Sequence, residues 1–288
     1  LKQLSDAYRR IRNTGRFILG NLYDYDPANH PVARASMPEL DRYMLHGLQA
    51  LIDRCRKAYE EFEFHGVYHT LYNYCTIDLS AFYLDILKDR LYTSPPESTD
   101  RRSAQTVMHL LIDALTKIMA PILPFTSDEI WQFIPCEGEK AHTVHMTDFP
   151  APNPDFRDDD LAARWGTILE VRGEVTKALE KARAEKTIGH SLDASVLLSA
   201  RGDLYALLSP YAEDLRAIFI VSDVQLEPAE NSTADYQATE MADLFIKVAA
   251  APGDKCQRCW VYDISVGANN EHPEICSRCR QALVRIAG

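Results

Sequence analysis

The chain has 288 residues, is 46% hydrophobic and carries a formal net charge of −11. That length predicts two or three domains with real cores. The charge excludes generic nucleic-acid binding through a global positive field, so any RNA site must be a local patch. No apolar run is long enough to cross a membrane as a helix.

Leu1-Lys2-Gln3-Leu4 enters helical periodicity at once and lacks a secretory-leader pattern. Such an abrupt start fits a piece cut from a longer protein. In the first predicted helix Leu4, Tyr8, Ile11 and Ile18 form an apolar stripe, with Arg9, Arg12 and Arg16 together on another face. Residues 1–16 hold five basic side chains against Asp6 alone. After a Pro-bearing break at 26–38, a second helix is predicted over 39–64. A third carries Val67, Leu71, Cys75, Leu79, Phe82 and Ile86, and ends at Thr93-Ser94-Pro95-Pro96. The next runs through Val107, Leu111, Leu115 and Ile118 and stops near Pro121. Thr126-Ser127-Asp128-Glu129 reads as a capping box opening a short helix with Ile130, Trp131 and Phe133. These elements make an antiparallel helical bundle over 1–136.

Residues 135–154 turn polar and Pro-rich, which reads as a linker. An amphipathic helix over 159–185 follows, with Leu161, Trp165, Ile168, Val175 and Leu179 inward. Strands are predicted at 193–200, 217–222, 224–226 and 244–249, a helix at 203–212 and an exposed loop at 230–239. This describes a small mixed α/β domain over 137–252. The predicted fold class is therefore mainly α, with a zinc module closing the chain over 253–288.

That module rests on Cys256-Gln257-Arg258-Cys259 and Cys276-Ser277-Arg278-Cys279, two Cys-x-x-Cys pairs separated by sixteen residues. Each pair makes a tight turn aiming two sulfurs at one point, so four thiolates can surround one Zn²⁺ tetrahedrally. Four protein ligands leave no open position, which makes the site structural. A redox motif would open a helix inside a strand–helix–strand unit, and no such unit is predicted around either pair. His272 is the other candidate ligand between the pairs. Cys55, Cys75 and Cys136 stand alone, and an odd count of scattered thiols fits a reducing cytoplasm. His65, His69 and His109 read as packing or surface residues, and Tyr68, Tyr72 and Tyr74 as bundle packing.

The segment from Ser5-Asp6-Ala7-Tyr8-Arg9-Arg10-Ile11-Arg12-Asn13-Thr14 through Arg16-Phe17 resembles the opening of the anticodon-binding helical domain of class I aminoacyl-tRNA synthetases. Phe82-Tyr83-Leu84-Asp85 with Lys88-Asp89-Arg90, and Met119-Ala120-Pro121-Ile122-Leu123-Pro124-Phe125-Thr126 with Asp128-Glu129-Ile130-Trp131, resemble further segments of it. Those stretches also admit the valyl and leucyl enzymes. The tail, Gly253-Asp254-Lys255-Cys256-Gln257-Arg258-Cys259-Trp260 with Ile275-Cys276-Ser277-Arg278-Cys279, is similar to the zinc element of the bacterial isoleucyl-tRNA synthetase family. Val171-Arg172-Gly173-Glu174-Val175 and Lys186-Thr187-Ile188-Gly189-His190-Ser191-Leu192 resemble its junction region. The family's His-Ile-Gly-His and Lys-Met-Ser-Lys-Ser elements are absent.

The resemblance implies a tRNA-holding part of a monomeric enzyme, binding the anticodon arm of tRNA(Ile). Catalysis, with ATP and Mg²⁺, would belong to a domain this sequence lacks. Reading an anticodon requires stacking surfaces and donors for splayed bases, with cations placing the backbone. Arg9, Arg12, Asn13 and Arg16 are the residues this implies on the first helix, against the alternative of a solvated basic face. Lys177, Lys181, Arg183 and Lys186 form a second basic surface, diluted by Glu180 and Glu185 and expected to be solvated. In the zinc module Arg258 and Arg278 occupy equivalent places, with their long side chains expected outside the knuckles. Trp260 offers either a stacking surface or a hydrophobic plug. A protein-docking zinc ribbon is the alternative from another functional class.

Overall fold

A computed structural model describes residues 2–229, 236–238 and 240–287 of the chain. The chain divides into two compact units, Leu1–Leu161 and Ala162–Gly288. Among the described residues no helix is long and apolar enough to cross a membrane.

The first unit is helical. Helix α1 (Lys2–Gly20) buries Ala7, Ile11, Thr14 and Ile18, whereas Leu4 and Tyr8 of the expected stripe are exposed. The small Ala7 and Thr14 let the neighbouring helix approach. Thr14 Oγ1 lies 3.3 Å from the Cys75 carbonyl and 3.1 Å from Ser80 Oγ. Helix α2 (Glu39–Glu60) stops short of its predicted end because Phe62 turns left-handed, at φ 58°. The Phe62 amide donates to Tyr59 O and the Glu63 amide to Ala58 O, the paired bonds of a Schellman cap. Glycine usually signals that cap, and here a phenylalanine fills it.

Helix α3 (Phe64–Asn73) continues through a wide π-helical stretch, Tyr74–Tyr83, into α4 (Leu84–Thr93). Ser80 Oγ donates to the Cys75 carbonyl (2.7 Å) inside the widened turns. The six apolar residues predicted along this run are all buried. Helix α5 (Thr99–Met119) is the centre of the unit, burying Val107, Met108, Leu111, Ile112 and Leu115. Helix α6 (Pro124–Phe133) begins at Pro124, whose fixed φ suits a first helical position. Thr126 therefore lies inside the helix and the predicted capping box does not form. Thr126 instead bonds Tyr8 (3.0 Å), and Glu129 faces Arg12. Ile130 and Trp131 are buried, whereas Phe133 is exposed.

The stretch predicted as a linker is tied down. Trp131 Nε1 donates to Ala141 O, Arg56 to Pro150 O, and Gln49 Oε1 accepts from the Asn153 amide. Inside the bundle Asp41 is 0% exposed and accepts from Arg90 at 3.0 and 2.7 Å, Tyr83 at 2.9 Å and Ser103 at 2.5 Å. A fully withdrawn carboxylate needs such a complete set of partners.

In the second unit α7 (Asp159–Ala184) buries Trp165, Ile168, Val171, Val175 and Leu179. A four-stranded sheet has the order β2-β1-β4-β3: β1 (Ala194–Ala200), β2 (Asp223–Pro228), β3 (Tyr236–Gln237) and β4 (Leu244–Ala250). Strand β1 runs parallel to β2 and antiparallel to β4. A parallel pair needs a crossover, supplied by α8 (Gly202–Leu208) and α9 (Leu215–Phe219). The predicted strand over 217–222 is thus wrong: its apolar run is helix α9, ended by Ile220 at φ 56°. Short apolar runs do not distinguish a buried helix from a strand. Of the loop expected over 230–239, residues 230–235 and 239 lie outside the described residues, while Tyr236–Gln237 pairs with β4.

Candidate metal centre and RNA-facing surfaces

The end of the chain is a small hairpin and a helix. Strands β5 (Asp254–Lys255) and β6 (Tyr262–Asp263) pair antiparallel, and α10 (Ser277–Ala287) follows. Gly253 opens the hairpin at φ 85°, where an added Cβ would sit 2.4 Å from the Asp263 carbonyl carbon. Only glycine fits that close approach. The first knuckle is closed by amide bonds from Cys256 to Val261 O and from Trp260 to Cys256 O, both 2.9 Å. The Gln257 amide bonds Glu274 O (3.0 Å), and the Ser277 amide bonds Ser265 Oγ (2.9 Å). The second Cys-x-x-Cys pair does open a helix, α10, but without a strand–helix–strand unit around it.

These bonds bring the sulfurs of Cys256, Cys259, Cys276 and Cys279 within 4.8 Å of one another. Zn–S bonds of about 2.3 Å in a tetrahedron separate sulfurs by about 3.8 Å. Cys259 and Cys276 Sγ lie 3.8 Å apart, which fits that spacing and is far beyond the roughly 2 Å of a disulfide. The Cys276 amide also points at Cys256 Sγ (3.3 Å), as thiolate sites require. Hydrogen bonding from the Cys279 thiol, aided by the Val261 amide and Arg278, draws Cys259 down to about 4. Holding that shared proton pushes Cys279 up. Donor type, spacing and burial all suit one structural zinc ion, and His272 lies outside the four-donor cluster.

The two knuckle arginines do not point away from the sulfurs. Arg278 hydrogen-bonds Cys259 and Arg258 hydrogen-bonds Cys279, so each half-buried guanidinium braces the opposite knuckle. Trp260 is 60% exposed, which removes the plug reading. Its backbone is left-handed (φ 66°), and Lys255 Nζ lies 5.8 Å from its ring centre.

On α1, Arg9, Arg12, Asn13 and Arg16 are all exposed but differ in company. Arg9 faces Asp6 (3.4 Å) and Arg12 faces Glu129 (3.5 Å). Among the described residues neither Asn13 nor Arg16 has a side-chain partner, and both line a cleft of about 760 Å³. The sequence reading missed the exposed Tyr23 and Tyr92 in that cleft; their signal was a lone aromatic beside a helix end. Three of the four cations of the second basic surface are paired, Lys177 with Glu174 and Glu240, Lys181 with Glu185 and Arg183 with Glu180, while Lys186 is exposed on a left-handed turn (φ 62°).

Residues 41–198 match the anticodon-binding domain of tRNA ligase, and residues 253–282 match the zinc finger found in FPG and IleRS. Similar proteins include an isoleucine–tRNA ligase of Geobacter sulfurreducens, 49% identical over 98% of this chain and 30% of the relative. Another from Desulforamulus reducens is 48% identical over 97% of this chain and 30% of the relative. One from Syntrophotalea carbinolica is 50% identical over 98% and 30%. The chain thus spans about a third of the length of these curated relatives. With more than half of its length matched by that domain, the chain belongs to the family of anticodon-binding domains of tRNA ligases.

Proposed function

We propose that this chain is the tRNA-holding C-terminal part of an isoleucine–tRNA ligase and grips the anticodon arm of tRNA(Ile). The observation that carries this reading is the order of parts: an anticodon-binding bundle, then a mixed α/β segment, then a four-sulfur zinc cluster of the same enzyme family. By sequence the three parts run 1–136, 137–252 and 253–288, although residues 137–161 fold with the helical unit and the last two parts lie in the second unit. Cys256, Cys259, Cys276 and Cys279 hold one structural zinc. The parent is a cytoplasmic monomer whose catalytic part, outside this chain, uses ATP and Mg²⁺ to join isoleucine to its tRNA. Alone, this chain does not activate isoleucine.

In this reading the exposed α1 face does the gripping. Arg9, Arg12 and Arg16 approach phosphates, and Asn13 offers an amide to a base edge. With zinc and four thiolates counted, the module holds no net positive charge, so its contacts are individual ones. Trp260 stacks, while Arg258 and Arg278 brace the sulfurs and turn their remaining donors outward. The test is a hydroxyl-radical footprint of tRNA(Ile) with the zinc-loaded chain. Protection confined to the anticodon arm is expected. No protection, or equal protection of an unrelated tRNA, contradicts the reading and favours a protein-docking zinc ribbon.

A further inference from the structure

Resting on the zinc assignment alone, we infer that zinc at the end of the chain holds in place a turn far upstream in sequence, residues 186–193. The Ser222 hydroxyl is the latch between the two.

The turn has a defined backbone but little to protect it from water. Lys186 ends α7 in a left-handed conformation (φ 62°), with its amide on Arg183 O (3.1 Å) and the Thr187 amide on Ala182 O (2.9 Å). These are the paired bonds of a Schellman cap. Asp193 Oδ2 then accepts from the amides of Gly189 (3.1 Å) and His190 (2.7 Å), and His190 Nδ1 accepts from that of Leu192 (3.2 Å). All three bonds are exposed, so water competes for them. Two ties reach out of the turn. Asp193 O accepts from the Ala251 amide (2.8 Å), just past β4, and the Leu192 carbonyl accepts from Ser222 Oγ.

Ser222 is 5% exposed, and its own amide is fixed on Ala194 O at 3.1 Å. The same Oγ that donates to Leu192 accepts from the Tyr262 amide of β6 (2.8 Å). A hydroxyl that donates and accepts at once polarises both bonds. Strand β6 pairs with β5, which leads directly into Cys256. Tyr262 also shares a cavity of about 490 Å³ with Lys186, Thr187, Gly189 and Asp193, so the metal module walls the turn. With zinc gone, the β5–β6 hairpin has too little buried apolar surface to stay folded. Water then reaches Ser222 and the Leu192 carbonyl, and the turn that presents Lys186 loosens. Linkage makes the effect reciprocal: the factor by which zinc steadies the turn is the factor by which the latch tightens zinc.

The experiment compares the zinc-loaded and chelated 288-residue chain by hydrogen exchange with mass spectrometry, and measures zinc affinity by chelator competition. In the wild type, chelation should speed exchange across 186–193 by roughly 5-fold to 150-fold, the range for a buried polar group that loses its partner. Cys276→Ser should do the same without chelator. Ser222→Ala should exchange fast there even with zinc bound, and should bind zinc more weakly by the same factor. Strand β1 should stay protected in every sample, which shows that the core is folded; if Ser222→Ala loses that protection, the wild type and Cys276→Ser decide alone. Exchange across 186–193 that ignores zinc overturns the inference and leaves the metal site standing. A folded Ser222→Ala with slow exchange and undiminished zinc affinity overturns the latch. Wild-type chain that binds no zinc overturns both the inference and the site.

Discussion

Removing zinc should unfold the tail of the chain while the two cores persist. Between residues 253 and 282, the buried side chains other than the thiols are Val261 and Ile275. Each stabilises by about 1.5–3 kcal/mol on burial, or about 3–6 kcal/mol together. A structural zinc site contributes about 10–16 kcal/mol in apparent binding free energy at neutral pH. The metal therefore outweighs these two buried side chains about threefold, and Val266 and Leu283, only partly buried against the cluster, add less. Hydrogen exchange read by mass spectrometry, before and after chelation, separates the regions. The amides of Cys256, Trp260 and Ser277 should lose protection, while those of α5 and β1 keep theirs. Elemental analysis should give one zinc per chain, lowered by Cys276→Ser. Unchanged protection across 253–282 without metal, or full zinc in Cys276→Ser, would refute the reasoning.

Four further outcomes follow from the geometry. Asp41→Asn keeps the shape of a buried side chain but leaves Arg90 without its counter-charge, so denaturant unfolding should show a loss of about 3–5 kcal/mol; a loss under about 1 kcal/mol would mean that water reaches the pair. Burial pushes the Asp24 carboxyl up, yet hydrogen bonds from Arg101 and Gln105 outweigh it and hold it below its ordinary 3.8. A depressed folded value means this stabilisation is complete above the unfolded pKa and is lost as pH falls through the folded one. The stability gap between wild type and Asp24→Asn should thus close under strong acid, and a gap that persists there counts against the assignment. Arg258→Ala and Arg278→Ala should weaken zinc retention about 10-fold to 100-fold in chelator competition; unchanged retention would show that the braces are idle. Gly253→Ala must displace the Asp263 backbone, so it should lower both zinc retention and melting temperature, and a neutral result would disprove the close approach.

The parts legible in the sequence were those with strong period or spacing. Val67, Leu71, Cys75, Leu79, Phe82 and Ile86 mark one buried line even though the helix widens beneath them, because each still returns to the same side. The four cysteines announced their cluster through spacing alone. Errors fell where one local signal had two physical meanings. Thr126 with Glu129 has the letters of a capping box, but Pro124 starts the helix two residues earlier. Phe62, Ile220 and Trp260 adopt left-handed backbones that nothing in their residue types announces. The cleft lined by Asn13, Arg16, Tyr23 and Tyr92 joins positions distant in sequence, so only the folded chain could reveal it.

The central claim is that this chain holds an anticodon arm through a local cationic face despite its overall negative charge. Its direct test is equilibrium binding to the isoleucine anticodon stem-loop across a salt series, with unrelated stem-loops as competitors. Preference for the isoleucine loop is expected, with a straight log–log decline whose slope lessens by about 0.7–0.9 in Arg16→Gln. Salt-independent binding, or equal affinity for every stem-loop, would contradict it.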